Sequence, residues 1–336
     1  MQSRTFLTVF IFLLLIQNAS AQLPTVQFLD SGRQCSLRGL SVVSDQIIWA
    51  CGSKGTVARS TDGGNSFEWI TVPGYEDRDF RDVEAFDANK AIIMAVASPG
   101  IILKTRDGGK SWIKVFEDTT AGMFLDAMDF DDDGINGIVA GDPLPGDSHI
   151  YFAMTHNQGE SWQNVTGNST MFATLEGEAL FASSGSNIAY PSALITGGKA
   201  SRMYFNGIFE LPIIQGAEST GANSIALSTD GRNAVIVGGD FSNDKSNTAN
   251  CVLVQMKKRP IFSIPTTLPF GYRSCVIYTN KSNLITCGSS GVDMSNDGGK
   301  NWVNLSSTSF HVCGKAKKGN TVFLAGTRGR IAKLVF

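Results

Sequence analysis

The sequence predicts an all-β fold, a seven-bladed β-propeller whose blades are four-stranded antiparallel sheets. Three observations lead to this prediction: a motif that recurs at a regular interval, short apolar runs separated by turn residues, and the lack of a convincing amphipathic helix. A fixed period of about 40 to 50 residues is typical of propellers, in which each period supplies one blade. The chain of 336 residues fits one such ring better than one ordinary domain.

The recurring motif has the form S/T-x-D/N-x-G-x-x-aromatic and occurs four times. Its third positions are separated by 45, 50 and 140 residues, and the last gap is close to three periods of about 47 residues. A carboxylate or amide in a tight turn can accept hydrogen bonds from backbone N–H groups two or three residues further on. Each copy offers too few oxygens for calcium, so we interpret the motif as a structural turn. The third-position residues are Asp62, Asp107, Asn157 and Asp297.

Strands assigned outward from these turns give seven units, of which the fourth and fifth lack the motif. In the fourth unit we place the first strand at 177–182 and the second at 190–197. The Ser-Thr-Asp-Gly at 228–231 resembles the motif but lacks the aromatic residue, and we place it between the first two strands of unit five. The last unit ends one strand short. We predict that residues 25–29 supply its fourth strand and close the ring, because exposed edge strands are disfavoured.

Residues 1–21 predict a secretion signal. An apolar run from Phe6 to Ile16 follows Arg4 and precedes Ala19-Ser20-Ala21. The run is too short to span a bilayer, and the small residues are typical of a cleavage site. We therefore expect residues 22–336 to form a single exported propeller, periplasmic or extracellular, that is monomeric and has no transmembrane segment. The net charge of −2 gives no electrostatic reason to expect nucleic acid as a partner.

The chain contains six cysteines, none in a C-x-x-C spacing. Export permits disulfide bonds, and buried free thiols are an equally good interpretation. The spacing argues against a zinc site, and we predict neither a metal nor a cofactor. The six residues are Cys35, Cys51, Cys251, Cys275, Cys287 and Cys313.

The candidate binding site is the mouth of the central channel. In a propeller blade the first strand lines the channel, and its start lies on the same face as the loop between strands two and three. The motif turn, between strands three and four, faces the other way. Convergent charges around a concave mouth indicate a ligand site, and a ring of mutually paired charges is the alternative. The predicted ligand-binding residues are Arg38, Arg81, Asp82, Asp126, Asp142, Glu178, Asp240, Arg273 and His311.

The motif copies and their flanks resemble those of the Asp-box propellers, a set that includes sialidases, sortilin-like receptors and the photosystem II stability/assembly factor-like family. The sequence looks most like the last of these, through FRDVEAF at 80–86, FLDAMDF at 124–130 and GDP at 141–143. The resemblance covers essentially the whole mature chain and implies the fold, while fold alone does not imply function. We predict a non-catalytic binding or assembly module for a protein, or for a carbohydrate or other small polar ligand.

Two alternatives remain. The chain could be a fragment of a sorting or adhesive receptor that binds peptides at the same mouth, or it could be a glycoside hydrolase. A sialidase-like site resembles three arginines clamping a carboxylate, a role that Arg38, Arg81 and Arg273 could fill. It also resembles a Tyr–Glu nucleophile pair, and the sequence shows no evident pair. The candidate acids of such a hydrolase are Asp82, Asp126 and Glu178.

Overall fold

Seven antiparallel sheets surround a central channel as the blades of a propeller. The computed structural model describes residues 23–167 and 170–336, and the only helical turns in these ranges are two short 3-10 turns, Thr170–Phe172 and Phe241–Asn243. No helix in the described ranges is long and apolar enough to cross a membrane. The inner strands of neighbouring blades contact one another around the ring, and that of blade seven contacts that of blade one. The predicted seven-bladed propeller is confirmed.

Blades one to three are meanders of four strands ordered from the channel outward. The second strands of blades one and two are buried along their whole length, which explains the uninterrupted apolar sequence there. Blade one consists of Leu37–Val42, Ile48–Gly52, Thr56–Ser60 and Glu68–Thr71. Blade two consists of Phe80–Ala85, Ala91–Ala95, Gly100–Thr105 and Ile113–Asp118. Blade three consists of Leu125–Phe130, Gly137–Gly141, Tyr151–Thr155 and Gln163–Asn164.

Blades five to seven follow the same order, and the inner strand of blade five also pairs at Gly221 with Gly197 of blade four. Blade five consists of Thr220–Leu227, Asn233–Asp240, Cys251–Gln255 and Ile261–Ser263. Blade six consists of Cys275–Tyr278, Leu284–Gly288, Gly291–Ser295 and Val303–Ser306. Blade seven consists of Val312–Lys315, Val322–Ala325, Ile331–Val335 and the N-terminal strand Thr25–Asp30.

The N-terminal strand closes the ring, as predicted. Thr25–Asp30 pairs antiparallel with Ile331–Val335, so that Thr25 lies opposite Val335 and Phe28 lies opposite Ala332. Blade seven thereby joins the two ends of the described chain. The predicted signal segment, residues 1–21, lies outside the described residues.

Blade four departs from the prediction. Its inner strand is split into Glu178–Ala179 and Ile188–Ala189, and its second strand into Ala193–Ile195 and Gly197–Gly198. The third and outer strands are Arg202–Tyr204 and Ile208–Glu210. The predicted second strand was therefore set too early, because Ile188–Ala189 pairs with Ala193–Ile195 as the end of the inner strand. The intervening residues 180–187, here called the channel segment, leave the sheet.

Side-chain hydrogen bonds within the four motif turns show that they are structural turns. In each, the Ser or Thr hydroxyl donates to the third-position side chain at 2.8–2.9 Å. The same third-position oxygen also accepts a hydrogen bond from the backbone N–H four residues further along the chain, at 2.9–3.1 Å. The prediction had placed this donor two or three residues along. Each turn also donates an N–H to a carbonyl in the turn between strands one and two of its own blade. The turns therefore lie at the end of each blade where its inner strand finishes.

The aromatic residue after each motif packs near the preceding blade. Trp112 contacts the apolar cluster that blades one and two share, and Trp302 belongs to the cluster that contains Val235 and Cys251 of blade five. In blade two the buried Lys104 ammonium donates to the Gln158 carbonyl and the Glu160 carboxylate of the blade-three motif, at 2.6 and 2.7 Å. The motif thus stabilises the interface between blades as well as its own turn.

All six cysteines lie in the described residues, where they are buried and free. Cys275 and Cys287 face each other across two strands of blade six, and no disulfide joins them. Burial raises the pKa of the Cys287 and Cys313 thiols well above the ordinary value. The cysteines therefore pack as small apolar residues in this structure.

Candidate functional site

A cavity of about 500 Å³ opens at the end of the ring where the inner strands begin. Its lining comes from the starts of inner strands, the channel segment and the loops that follow second strands. The face is opposite to the one that carries the motif turns. The ionisable or hydrogen-bonding lining residues are Arg38, Arg81, Asp126, Asp142, Ser183, Asn223, Asp244, Tyr272, Ser274, Ser289 and His311. The apolar lining residues are Phe124, Ala179, Leu180, Phe181, Ala182 and Phe241.

The channel segment, residues 180–187, crosses the channel and forms one wall of this cavity. Its Ser183 hydroxyl donates to Asn223 of blade five at 3.0 Å, and its Ser184 hydroxyl donates to the Ser274 carbonyl of blade six at 2.7 Å. On the other side, Gly185 lies so close to the Asp82 carboxylate of blade two that an added Cβ would collide with it. Blade four therefore uses its interrupted inner strand to connect opposite sides of the ring.

Two guanidinium groups hold the same segment. Arg38 donates to the Ser183 carbonyl and Arg81 to the Ala182 carbonyl, each at 3.3 Å. Arg81 is also paired with Asp79 at 2.8 Å, whereas Arg38 forms no ion pair with any described residue. Burial, and then the charge of Arg81, lowers the pKa of Arg38. Arg38 is thus a half-buried cation whose charge is not matched by a neighbouring carboxylate.

Asp126 and Asp142 lie close together on the other side of the lining. Asp126 is 0% exposed, and neither of its carboxyl oxygens accepts a well-aligned hydrogen bond, although the backbone N–H groups of Asp142 and Ala182 lie near them. Burial, and then the neighbouring Asp142, raises the pKa of Asp126 well above its usual range. Asp142 accepts the Leu180 N–H at 2.9 Å, and burial raises its pKa to about 6. These two acids share a site that favours only one negative charge, or a cation between them.

Two further polar atoms in the lining have no partner among the described residues: Nε2 of His311 and Oγ of Ser289. Burial and the charges of Arg38, Arg81 and Arg330 lower the pKa of His311 to about 3, so its imidazole is neutral at neutral pH. By contrast, the Tyr272 hydroxyl donates to Asn223 at 2.7 Å, and burial raises the pKa of Tyr272 to about 12. A buried polar atom without a partner is costly, which indicates that a ligand or water completes the site.

Aromatic side chains form the apolar side of the mouth. Phe241 stands edge-on to Phe181 and to Tyr272, with ring centroids 5.9 and 6.2 Å apart. Although it is a phenylalanine, Phe241 is 48% exposed. It follows Asp240 in the short 3-10 turn that leads out of the second strand of blade five. This ring is therefore held at the rim by its neighbours and is available to a ligand.

Five of the nine predicted ligand-binding residues line the cavity: Arg38, Arg81, Asp126, Asp142 and His311. The other four do not line it. Asp82 is buried within the wall and accepts the N–H groups of Val83 and Met128 at 2.8 and 2.7 Å. Asp240 caps the turn Phe241–Asn243 by accepting the Ser242 N–H at 2.9 Å. Both carboxylates are used by backbone groups.

Glu178 is committed to a buried network outside the cavity. Its carboxylate pairs with Arg202 and accepts the Tyr204 hydroxyl at 2.8 Å and the Thr196 hydroxyl at 2.5 Å. The Tyr–Glu contact that the sequence did not reveal is therefore present. The Tyr204 residue is 3% exposed, and burial together with Glu178 raises the pKa of its hydroxyl. A nucleophile needs the opposite shift and access to substrate, so this pair is structural.

Arg273 lies outside the cavity in a second buried network. Its guanidinium contacts Asp293 at 2.6 Å, and both side chains are 0% exposed. The sequence could not distinguish Glu178 and Arg273 from residues of the mouth, because the ion-pair partner of each lies in another strand. The sequence prediction also missed the aromatic rim, Asn223, Asp244 and Ser289. The composition of residues 181–187, FASSGSN, was the one signal that blade four does not continue as an ordinary strand.

Among the residues that the structure describes, no group of three His, Cys, Asp or Glu side chains could hold a metal ion. The lining instead combines a buried guanidinium, two interacting carboxyl groups, neutral donors and acceptors, and aromatic rings. This combination suits recognition of a molecule that carries polar groups on an apolar frame.

Comparisons with known proteins agree with the resemblance drawn from the sequence. The model of a family described as photosynthesis system II assembly factor YCF48 matches residues 27–122, which include all the strands of blades one and two. The chain is similar to this family. Over the rest of its length the likeness is one of fold. No curated protein sequence matches the chain.

Three solved structures share the fold at low identity. One is described as YCF48 bound to D1 peptide, with 16% identity, a TM-score of 0.64, and coverage of 94% of this chain and 98% of that one. YCF48 from Cyanidioschyzon merolae has 14% identity, a TM-score of 0.60, and coverage of 92% and 98%. The GH74 enzyme of Niastella koreensis has 13% identity and a TM-score of 0.61 over 92% of this chain and 53% of its own. One propeller fold thus serves assembly factors and an enzyme.

Proposed function

We propose that this protein is an exported, non-catalytic binding or assembly-factor propeller that binds a segment of polypeptide in its central cavity. One observation carries the proposal. Four buried polar atoms without partners face one cavity: both carboxyl oxygens of Asp126, Nε2 of His311 and Oγ of Ser289. Leaving such atoms unsatisfied costs free energy, and a bound polar ligand would recover it.

The class of ligand follows from the lining and from the comparisons. A polypeptide segment offers backbone donors and acceptors together with apolar side chains, and it matches the polar groups and the rings of Phe181 and Phe241. A YCF48 protein of the same fold is described as bound to D1 peptide, which supports a peptide as the kind of molecule that such a ring takes. Export rests on the predicted signal at residues 1–21.

A glycoside hydrolase is less well supported. Of its three candidate acids, only Asp126 lines the cavity, because Asp82 is used by backbone N–H groups and Glu178 by Arg202 and Tyr204. We therefore expect no turnover of fluorogenic glycosides. Turnover that disappears in an Asp126→Asn variant would contradict the proposal and restore the hydrolase.

The binding proposal is tested with the mature chain immobilised and exposed to a pool of random linear peptides, with retention read by mass spectrometry. We expect the wild type to retain a subset of peptides. Phe241→Ala, at the exposed rim, and Arg38→Ala are expected to lower that retention about tenfold, since each removes a direct contact. Arg232→Ala serves as the control, because Arg232 is highly exposed on a turn away from the cavity. If Phe241→Ala and Arg38→Ala retain as much peptide as the wild type does, the peptides bind outside this cavity.

A further inference from the structure

The cavity lining holds three acids and two arginines. Asp126, Asp142 and Asp244 line it, while Arg38 and Arg81 are the cationic lining residues. Arg81 is paired with Asp79, which lies outside the lining, and Arg38 donates to the Ser183 carbonyl. The acids of the lining therefore form no ion pair with either arginine, and a buried acid without a partner is unfavourable.

Two neighbouring acids of the lining have acceptors to spare. Neither oxygen of the buried Asp126 accepts a well-aligned hydrogen bond, although the N–H groups of Asp142 and Ala182 lie near them. Oδ1 of Asp142 accepts the Leu180 N–H, and its Oδ2 accepts no hydrogen bond from the described residues. Nε2 of His311, whose residue is 9% exposed, is a further lining atom without a partner among the described residues. The carboxyl oxygens of Asp126 and Asp142 are therefore the acceptors that a further donor would satisfy.

A primary ammonium group matches this arrangement. It carries three N–H donors, no acceptor and one positive charge. Its charge would favour the ionised form of both acids. Phe124, Phe181 and Phe241 line the mouth and offer apolar surface to the carbon chain that bears the ammonium, and aromatic rings attract cations. A carboxylate at the same position would instead meet two acids.

We propose that the occupant of the cavity presents a primary ammonium group to Asp126 and Asp142, from a polypeptide N-terminus or from a lysine side chain. This inference rests on the proposed function, since it names the group by which the bound polypeptide is recognised. Arg38 then faces the carbonyl oxygens of the same segment. The two sources of the ammonium share one chemistry, and the test separates them.

The test uses three pools of random linear peptides and the immobilised mature chain. The first pool has free amino termini and no lysine. The second has acetylated amino termini and one lysine at random positions. The third has acetylated amino termini and no lysine. Each pool is applied to the wild type, to Asp126→Asn, to Asp142→Asn and to the control Asp132→Asn, whose side chain is exposed away from the cavity.

The wild type is expected to retain the first or the second pool at least about tenfold better than the third, and the pool retained identifies the source of the ammonium. Both cavity variants should lose this preference, while Asp132→Asn keeps it. Asp126→Asn should also melt no lower than the wild type, because it removes a buried acid that has no partner, whereas a purely structural carboxylate would lower the melting temperature when replaced. If the third pool is retained as well as the first and second pools are, the ammonium inference is overturned and the binding function still stands. Retention of none of the pools overturns both.

Discussion

The guanidinium of Arg273 contacts the carboxylate of Asp293 at 2.6 Å in the core of blade six, where both side chains are 0% exposed. Nε of Arg273 also donates to the same oxygen at 2.7 Å, and the other oxygen of Asp293 accepts the amide of Asn304 at 2.9 Å. The remaining guanidinium donors go to the carbonyls of Phe270 and Tyr272 and to the Ser290 hydroxyl. Arg273 therefore orders the loop that begins blade six, and its charge is satisfied away from the cavity.

Asp293→Ala is expected to lower the free energy of unfolding by about 3 to 5 kcal/mol, because it leaves the Arg273 charge buried without its partner. Chemical denaturation followed by tryptophan fluorescence measures this change. Asp132→Ala, at an exposed loop position, should leave the unfolding midpoint unchanged. If the two variants unfold alike, the ion pair does not hold blade six in the way described.

The motif turn of blade two should tolerate an amide better than an apolar residue. Asn157 in blade three contacts the same groups as Asp107 does, with one bond reversed: its amide donates to the Ser161 hydroxyl at 2.9 Å, whereas the Ser111 hydroxyl donates to Asp107. Asp107→Asn should therefore lower the melting temperature less than Asp107→Ala. Equal losses in the two variants would contradict this account of the turn.

The same turn should contribute to acid sensitivity. The hydroxyl and N–H of Ser111 lower the pKa of Asp107 to about 2. A carboxyl whose pKa is lowered by folding adds stability above its ordinary pKa of about 3.9, and this stability is lost as the pH falls through about 2. The difference in melting temperature between the wild type and Asp107→Asn should shrink over that range. A difference that is constant with pH would mean that the charge of Asp107 adds nothing.

Asp142 should show the opposite dependence. Burial raises its pKa to about 6, so the folded state binds its proton more tightly than the unfolded state does. The resulting stability is fully present below about pH 4 and is lost as the pH rises through about 6. Asp142→Asn keeps an acceptor for the Leu180 N–H and removes the cost of ionising a buried carboxyl. The variant should therefore be more stable than the wild type by about 1 to 3 kcal/mol above pH 6. Denaturation at a series of pH values measures it, and a pH-independent difference would contradict the assignment.

Alanine substitutions at two glycines separate the effect of the contact between the channel segment and blade two from the effect of backbone strain. Gly185 and Gly231 have φ angles of +67° and +66°, but an added Cβ collides with Asp82 at Gly185 and meets nothing at Gly231. Gly231→Ala should cost about 1 kcal/mol from backbone strain alone. Gly185→Ala should cost about 1 to 3 kcal/mol more, because the segment must move away from Asp82. Equal costs would show that the segment does not press on blade two.

Most of the ring could be predicted from the sequence, because each blade with a motif repeats the same turn chemistry at a regular interval. The strand that closes the ring could be predicted from the missing strand of the last unit. The split inner strand of blade four could not, since its pairing is replaced by contacts of residues 183–185 with blades five, six and two. Periodicity carries no information about such contacts.

The candidate site was predictable only as a region. Position along the inner strands correctly brought Arg38, Arg81 and Asp126 to one cavity. It could not separate them from Glu178 and Arg273, because a charge at the start of a strand may point to the channel or into a blade. The partners that decide this, Arg202 and Asp293, lie in other strands at 24 and 20 residues' distance.

The most direct measurement is a crystal structure of the protein with the most strongly retained peptide. The account predicts peptide density in the central cavity, with a primary ammonium within hydrogen-bond distance of Asp126 and a carbonyl oxygen facing Arg38. Density on the outer strands or on the face of the motif turns, with the cavity unchanged, would contradict the claim that the unpartnered groups of this cavity form the binding site.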